Sequence, residues 1–162
     1  KSETKVMGMI MQKEVFNGEG GGTMDMQNGK KDFTAEEIAD RKLSHLLDKD
    51  LRLKDLGYQL NLISIEEVNG NDAYKIELVD SKGKSSFEYY DVDSKLKVYE
   101  IKTEEDDNGE IITSTSTFSD YKLVKGVLYA HSIAMSFGSM EFEMIVKSIQ
   151  INPKYDSGEF EW

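Results

Sequence analysis

The 162-residue chain contains no cysteine, which excludes disulfides, thiol catalysis and cysteine-ligated metals. Proline occurs once, at Pro153, so the thirteen glycines supply most of the punctuation. No apolar run approaches the roughly 18 residues of a membrane helix, and the chain is read as not membrane-spanning. Basic residues are in the minority, 20 Lys and Arg against 31 Asp and Glu, for a net charge of -11. No basic stripe is visible, which argues against nucleic acid and against adsorption to an anionic membrane surface. The polar opening KSETK is not a signal peptide; the chain is expected to be the processed form, or a piece, of a longer one.

What is present is a globular composition with enough residues for one domain, 1–162, and a real core. Alternation of apolar and polar residues dominates. Residues 5–16 (KVMGMIMQKEVF) read as one strand, with Met7, Met9 and Met11 on one parity. Asn-Gly recurs at 17–18, 28–29, 69–70 and 108–109, and it favours hairpin turns because both residues tolerate positive φ. Strand patterns follow at 58–68, 72–80, 85–92, 95–103, 111–121, 126–138 and 139–152. In the last of these, Met140, Phe142 and Met144 share a face, and the parity change at Ile149 and Ile151 predicts a bulge near Lys147–Ser148.

One segment breaks the alternation. Residues 34–56 carry helix signals: Thr34 and Glu37 match a capping box, and acidic residues fill the first turn. Ile38, Leu46, Leu47 and Leu51 are expected to share one face, Gly57 to stop the segment, and Asp48 and Asp50 to divide it. Turn signals every eight to twelve residues predict an antiparallel meander that curls over one or two helices. The expected fold class is therefore α+β, mainly antiparallel β, with a strongly curved sheet forming an incomplete barrel.

Chemical signatures are sparse. His45 and His131 are the only histidines, and no H-E-x-x-H motif surrounds either, so no metal site and no cofactor are assigned. DVDS (91–94) opens like a calcium loop, but Lys95 stands where an oxygen ligand belongs; an Asx turn explains it better. GEGGG (18–22) lacks the spacing of a phosphate-binding loop, and G-x-S-x-G is absent. The chain reads as a non-enzyme with no catalytic residue. The methionines admit two readings. Met7, Met9, Met11, Met135, Met140 and Met144, with Phe142, are either core filler or an adaptable concave surface for apolar ligands. Both place the side chains on one face, so both stay open.

Several stretches resemble lipoprotein-carrier domains of the LolA/LolB type. VNGNDAYKIELVDSKGKSSFEYYDVDSKLKVYEIKT (68–103) is similar to their V-x-G-x-x-A-Y-K hairpin and the YYD strand after it. FSDYKLVKGVLYAHSIAMS (118–136) and MEFEMIVKSIQIN (140–152) resemble the segments that follow. MQKEVFNGEGGG (11–22) is similar to the F-x-G-x-x-G hairpin before the helical lid. The resemblance implies a half-barrel over helices that holds acyl chains, in the periplasm or envelope of a Gram-negative bacterium. Similar domains also occur appended to insulinase-type zinc peptidases, so a ligand-free structural or protein-interaction module is the alternative. The family pattern begins with a helix and strands ahead of Lys5, which implies a carboxy-terminal portion here. Its early-strand arginine has no counterpart, since Arg41 and Arg52 fall in the helical region, and Ala130 replaces a usual proline. A shortened sheet would expose an edge and invite strand-to-strand homodimerisation.

Overall fold

The computed structural model describes residues 1–7, 9–26, 28–46, 49–105, 109–156, 158 and 160. The chain forms two compact units, residues 1–51 with 152–162, and residues 52–151. The strands are all antiparallel, they fall into two sheets, and neither sheet closes into a barrel. With one α-helix among the described residues, this is an α+β fold dominated by antiparallel β.

The first unit holds a four-stranded sheet in sequence order: β1 (Ser2–Val6), β2 (Met9–Phe16), β3 (Gly21–Asp25) and β4 (Gly29–Asp32). The strand expected over 5–16 is thus divided. Val6 pairs with Met9 across a reversal at Met7, whose φ is +50. A non-glycine residue in that region belongs in a turn rather than a strand. Met7 is consequently 95% exposed and does not share a strand face with Met9 and Met11.

Helix α1 (Ala35–Ser44) follows, and the capping box at its start is formed. The Thr34 N–H donates to Glu37 Oε2 at 2.7 Å, and the Glu37 N–H donates to Thr34 Oγ1 at 3.2 Å. The Thr34 backbone N–H, then its hydroxyl, hold the Glu37 carboxyl below the usual range. The helix ends at Ser44 rather than continuing to 56. The His45 N–H makes the last i→i−4 bond, to the Arg41 carbonyl at 3.0 Å, where Ser44 Oγ and His45 Nδ1 also converge at 3.1 and 2.8 Å, and the Leu46 N–H turns instead to the Leu43 carbonyl, an i→i−3 bond that ends the α pattern. Among the described residues a 3₁₀ turn at Lys49–Leu51 comes after it, followed by the turn that Gly57 closes. Leu51 is therefore 88% exposed, off any apolar face shared with Ile38; Leu47 and Asp48 lie outside the described residues.

The helix is tied to its own sheet by Arg41. Its Nε and Nη2 donate to the two carboxylate oxygens of Glu14 on β2, at 3.2 and 3.3 Å. The guanidinium also lies 3.6 Å over the Phe33 ring, and Phe33 meets Phe16 edge-on. Both members of the pair are mostly shielded from solvent, so the fork geometry is worth more than a typical surface pair. A double-mutant cycle on Glu14→Ala and Arg41→Ala is expected to give a coupling energy of about 1 kcal/mol by urea unfolding. Arg41→Lys should not restore it, because an ammonium cannot make the planar fork. A coupling near zero would show that the pair only decorates the surface.

The second unit opens with one turn closed by Gly57 (φ +84), with Leu53 buried beneath it. A seven-stranded meander follows: β5 (Gln59–Val68), β6 (Asn71–Val79), β7 (Ser85–Asp91), β8 (Lys97–Glu105), β9 (Ile111–Val124), β10 (Val127–Phe137) and β11 (Met140–Ile145). Asn69 and Gly70 have φ +52 and +82, the pair of positive values a type I′ hairpin requires. The 91–94 segment is an Asx turn. Asp91 Oδ1 accepts from the Ser94 hydroxyl and N–H, both at 2.7 Å, and from the Asp93 N–H at 3.2 Å. The final strand stops at Ile145 instead of running to 152 through a bulge. Its last contact with β10 is Val146 N–H to His131 O at 2.8 Å, beside the position where Asp120 of β9 turns to φ +51.

Candidate functional site

The registers of the seven-stranded sheet define which side chains share a face. One cross-strand row runs Leu62, Ile76, Glu88, Glu100, Ser116, Met135, Phe142. A second runs Leu60, Leu78, Ser86, Lys102, Ser114, Phe137, Met140. Both lie on the same face, because the residues alternate by two along each strand. At the β10–β11 end this face is apolar: Ile133 stands opposite Met144, Met135 opposite Phe142, and Phe137 opposite Met140. The patch is open to solvent, with Met140 60% and Phe142 53% exposed.

The structure thus brings Met135, Met140, Phe142 and Met144 together. It places Met9 and Met11 on β2, in the four-stranded sheet of the other unit, where the register shift against β1 skips Met11, so that Met9, opposite Val6, and Lys13, opposite Glu3 and paired with Met24 of β3, fall on opposite faces. These three methionines are exposed as well. Exposed methionines therefore occur in both units, and the β10–β11 patch is where Met135, Met140 and Met144 share a face. Methionine suits such a surface because its unbranched thioether repacks at little cost.

Between the apolar ends of the seven-stranded sheet lies an ionic cluster that sequence reading does not identify. Glu88 and Glu100 stand directly opposite each other on β7 and β8 and are only 7% and 6% exposed. Lys97 Nζ bridges them, at 3.1 Å from Glu88 Oε1 and 3.0 Å from Glu100 Oε2. The register shift between Tyr89 and Tyr90 aligns Lys97 with Tyr90, and the Tyr90 hydroxyl donates to Glu88 Oε2 at 2.5 Å. Lys102 also contacts Glu100, and Phe118 places its ring 5.1 Å from the Lys97 ammonium. Burial opposes charge on Lys97, but the two carboxylates outweigh it and hold the ammonium well above its ordinary value. Burial likewise pushes Glu100 up, while Lys97 and Lys102 bring it below the usual carboxylate value.

The opposite face of the same sheet carries two open hollows. One, of about 340 Å³, is lined by Glu66, Val68, Tyr89, Tyr99 and Thr117 among others. The other, of about 450 Å³, is lined by Thr115, Thr117, Ser136, Glu141 and Glu143, with Met135 and Phe142 contributing to its wall. Lys75 donates to Glu66 at 3.0 Å beside the first hollow, and the Tyr89 and Tyr99 rings pack with centroids 5.4 Å apart. Both volumes fall in the range of small-ligand sites, though each hollow is open and shallow rather than enclosed.

Of the two histidines, His131 is buried with Nδ1 2.9 Å from the Tyr129 carbonyl, and His45 sits at the end of α1 with its ring 5.6 Å from that of Phe16. Among the described residues, no three His, Asp or Glu side chains are grouped to hold a metal. No helix among them is long and apolar enough to cross a membrane.

No family model and no curated protein matches the chain. Two solved structures are similar to it. One is a crystal structure from Vibrio parahaemolyticus of a domain assigned as an outer membrane lipoprotein-sorting protein, with TM-score 0.50 and 19% identity over 94% of this chain and 81% of that one. The other is a LolA superfamily protein from Nitrosomonas europaea, with TM-score 0.47 and 13% identity over 82% of this chain and 63% of that one. The fold of this chain is LolA-like.

Proposed function

We propose that this chain is a carrier-like, non-enzymatic domain of the Gram-negative cell envelope that binds a lipid or acyl chain on its methionine-bearing faces. The observation that supports this most is the exposed run of Met140, Phe142 and Met144 opposite Phe137, Met135 and Ile133. A soluble chain exposes a contiguous apolar patch of this kind where something apolar is meant to cover it. Met9 and Met11 are proposed to take part through the first sheet. The LolA-like fold adds support, since its solved neighbour is assigned to lipoprotein sorting.

The test is native mass spectrometry of the purified chain, then denaturing lipid extraction, then titration with a fluorescent fatty acid. A bound acyl species and saturable uptake are expected. Each apolar side chain contributes on the order of 1–2 kcal/mol when buried against a chain. Met140→Gln, Phe142→Gln and Met144→Gln together should therefore weaken uptake at least about tenfold. A clean apo mass with no uptake, or a triple variant that binds as well as the parent, would sink the proposal.

A further inference from the structure

We infer that the outer edge of β11 is a docking site for an extended segment of a partner protein in which basic residues alternate with apolar ones. The segment would add to the seven-stranded sheet as an eighth strand. This does not rest on the lipid-binding proposal, because the backbone edge of β11 and its glutamates carry it, although the partner's apolar residues would meet Met140, Phe142 and Met144 as well.

The first observation is which backbone groups point outward. Val146 N–H to His131 O marks that pair as a hydrogen-bonded one in the β10–β11 ladder. Antiparallel pairing alternates, so Met140, Phe142 and Met144 bond inward to β10. The N–H and C=O groups of Glu141, Glu143 and Ile145 then face away from the sheet. Every residue of β11 is exposed, and β11 ends the strand order.

The second observation is that β11 lacks the irregularity that blunts other edges of this molecule. The edge strand β5 carries a register shift between Leu62 and Ser64, and the edge strand β1 carries one between Thr4 and Lys5. Edge strand β4 has only four residues. Bulges and short length deter strand addition, whereas β11 keeps an unbroken register along its whole length.

The third observation selects the partner's chemistry. Glu141 and Glu143 project on one face of β11, while Met140, Phe142 and Met144 project on the other. A second copy of β11 fits poorly. Antiparallel self-pairing centred on Phe142 sets Glu141 opposite Glu143 twice, and centring on Glu143 sets that residue opposite itself. Like charges directly opposite destabilise a strand pair, and opposite charges stabilise it. The chain's net charge of -11 adds to that bias. A strand with Lys or Arg opposite the two glutamates and apolar residues opposite Met140, Phe142 and Met144 satisfies both faces and the free backbone groups together.

The test uses the full chain and three nine-residue peptides of alternating pattern: Lys with Val, Glu with Val, and Lys with Val carrying N-methyl groups at alternate residues. Fluorescence anisotropy reads affinity, and amide hydrogen exchange reads location. The Lys peptide is expected to bind at least tenfold more tightly than the Glu peptide and to slow exchange at Glu141, Glu143 and Ile145. N-methylation should abolish binding, and Glu141→Lys with Glu143→Lys should reverse the order of the Lys and Glu peptides. Equal binding of the methylated peptide would mean that charge alone holds it, and would overturn the inference. So would protection at β5 or in the four-stranded sheet, absence of binding at millimolar peptide, or a dimer of the chain in sedimentation velocity that excludes the peptide.

Discussion

Lys97→Met is expected to lower stability at pH 7 by about 3–5 kcal/mol, the usual cost of removing one partner from a buried ionic group. The methionine fills similar space, so the loss is electrostatic. Without the ammonium 3.1 and 3.0 Å away, Glu88 and Glu100 face each other across β7 and β8 with little solvent between them, Glu88 keeping the Tyr90 hydroxyl and Glu100 the half-exposed Lys102. The pH dependence separates this from a packing defect. In the native chain, Glu100 sits below its ordinary value when folded, so its contribution is present above the unfolded carboxylate pKa and is lost as pH falls through the lower folded one. Lys97 sits above its ordinary 10.5 when folded, so its contribution is complete below that value and is lost only as pH rises through the higher folded one. In Lys97→Met the burial that pushes the Glu100 carboxyl up is no longer opposed by the Lys97 ammonium, so Glu100 takes up a proton more readily when folded than when unfolded. Stability should then rise as pH drops from 7 towards 5, an interval over which the parent's Lys97 and Glu100 contributions both stay intact. Urea unfolding across that interval measures both slopes; parallel profiles would remove the ionic explanation.

Gly21→Ala is expected to cost more than about 3 kcal/mol, enough to threaten folding of the first unit. A Cβ at Gly21 would lie 1.9 Å from the carbonyl oxygen of Val15, which is fully buried on the paired strand, and the backbone there has φ +150. Neither atom can withdraw, because Phe16 pairs with Gly21 and the Phe33 N–H donates to the Gly21 carbonyl at 2.9 Å. Gly18→Ala is the control. Its φ is +95, but no heavy atom lies within 4 Å of the added Cβ, so only the conformational cost of about 1 kcal/mol applies. Thermal unfolding of the two variants side by side settles the matter: similar losses would mean that the close approach to Val15 is relieved at little cost.

The same two positions show what a sequence does and does not disclose. Gly21 is the last glycine of the F-x-G-x-x-G hairpin that carries the family resemblance, and its role is local: one strand end, one turn, one close contact. Local features of that kind were legible. Asn69-Gly70 made its hairpin, Thr34 and Glu37 made their capping box, and Asp91 made its Asx turn. The LolA-like fold was legible through the run of such hairpins. Lys97 is different. Its partners are nine residues back on β7 and three residues on along β8, and they converge only through a register shift between those strands. Nothing in the text of the chain announces a bulge at that point, so the central ionic cluster was invisible.

The extent of the helix failed for a third reason. The apolar spacing that suggests a helix to 56 does not show that the backbone changes at Leu46 from i→i−4 to i→i−3 bonding and leaves the helix there. The methionines fall between these cases. Alternation put Met140, Phe142 and Met144 on one face, as observed, yet it could not tell that Met7 would turn out of the strand or that Met9 and Met11 belong to a different sheet.

The strand order of the larger unit carries a consequence for how it assembles. Each strand from β5 to β11 bonds only to its neighbours along the chain, so no step joins segments distant in sequence. Sheets usually form slowly because long loops must close before any pairing rewards them. Here every closure is that of a short hairpin, several with turn residues already suited to the bend. The sheet can therefore grow as a zipper from any hairpin that forms first, and it can fray strand by strand from either end without losing the rest. The terminal hairpin of such a sheet can open locally while the remaining strands stay paired, so protection from amide exchange should fall from the central strands towards β11.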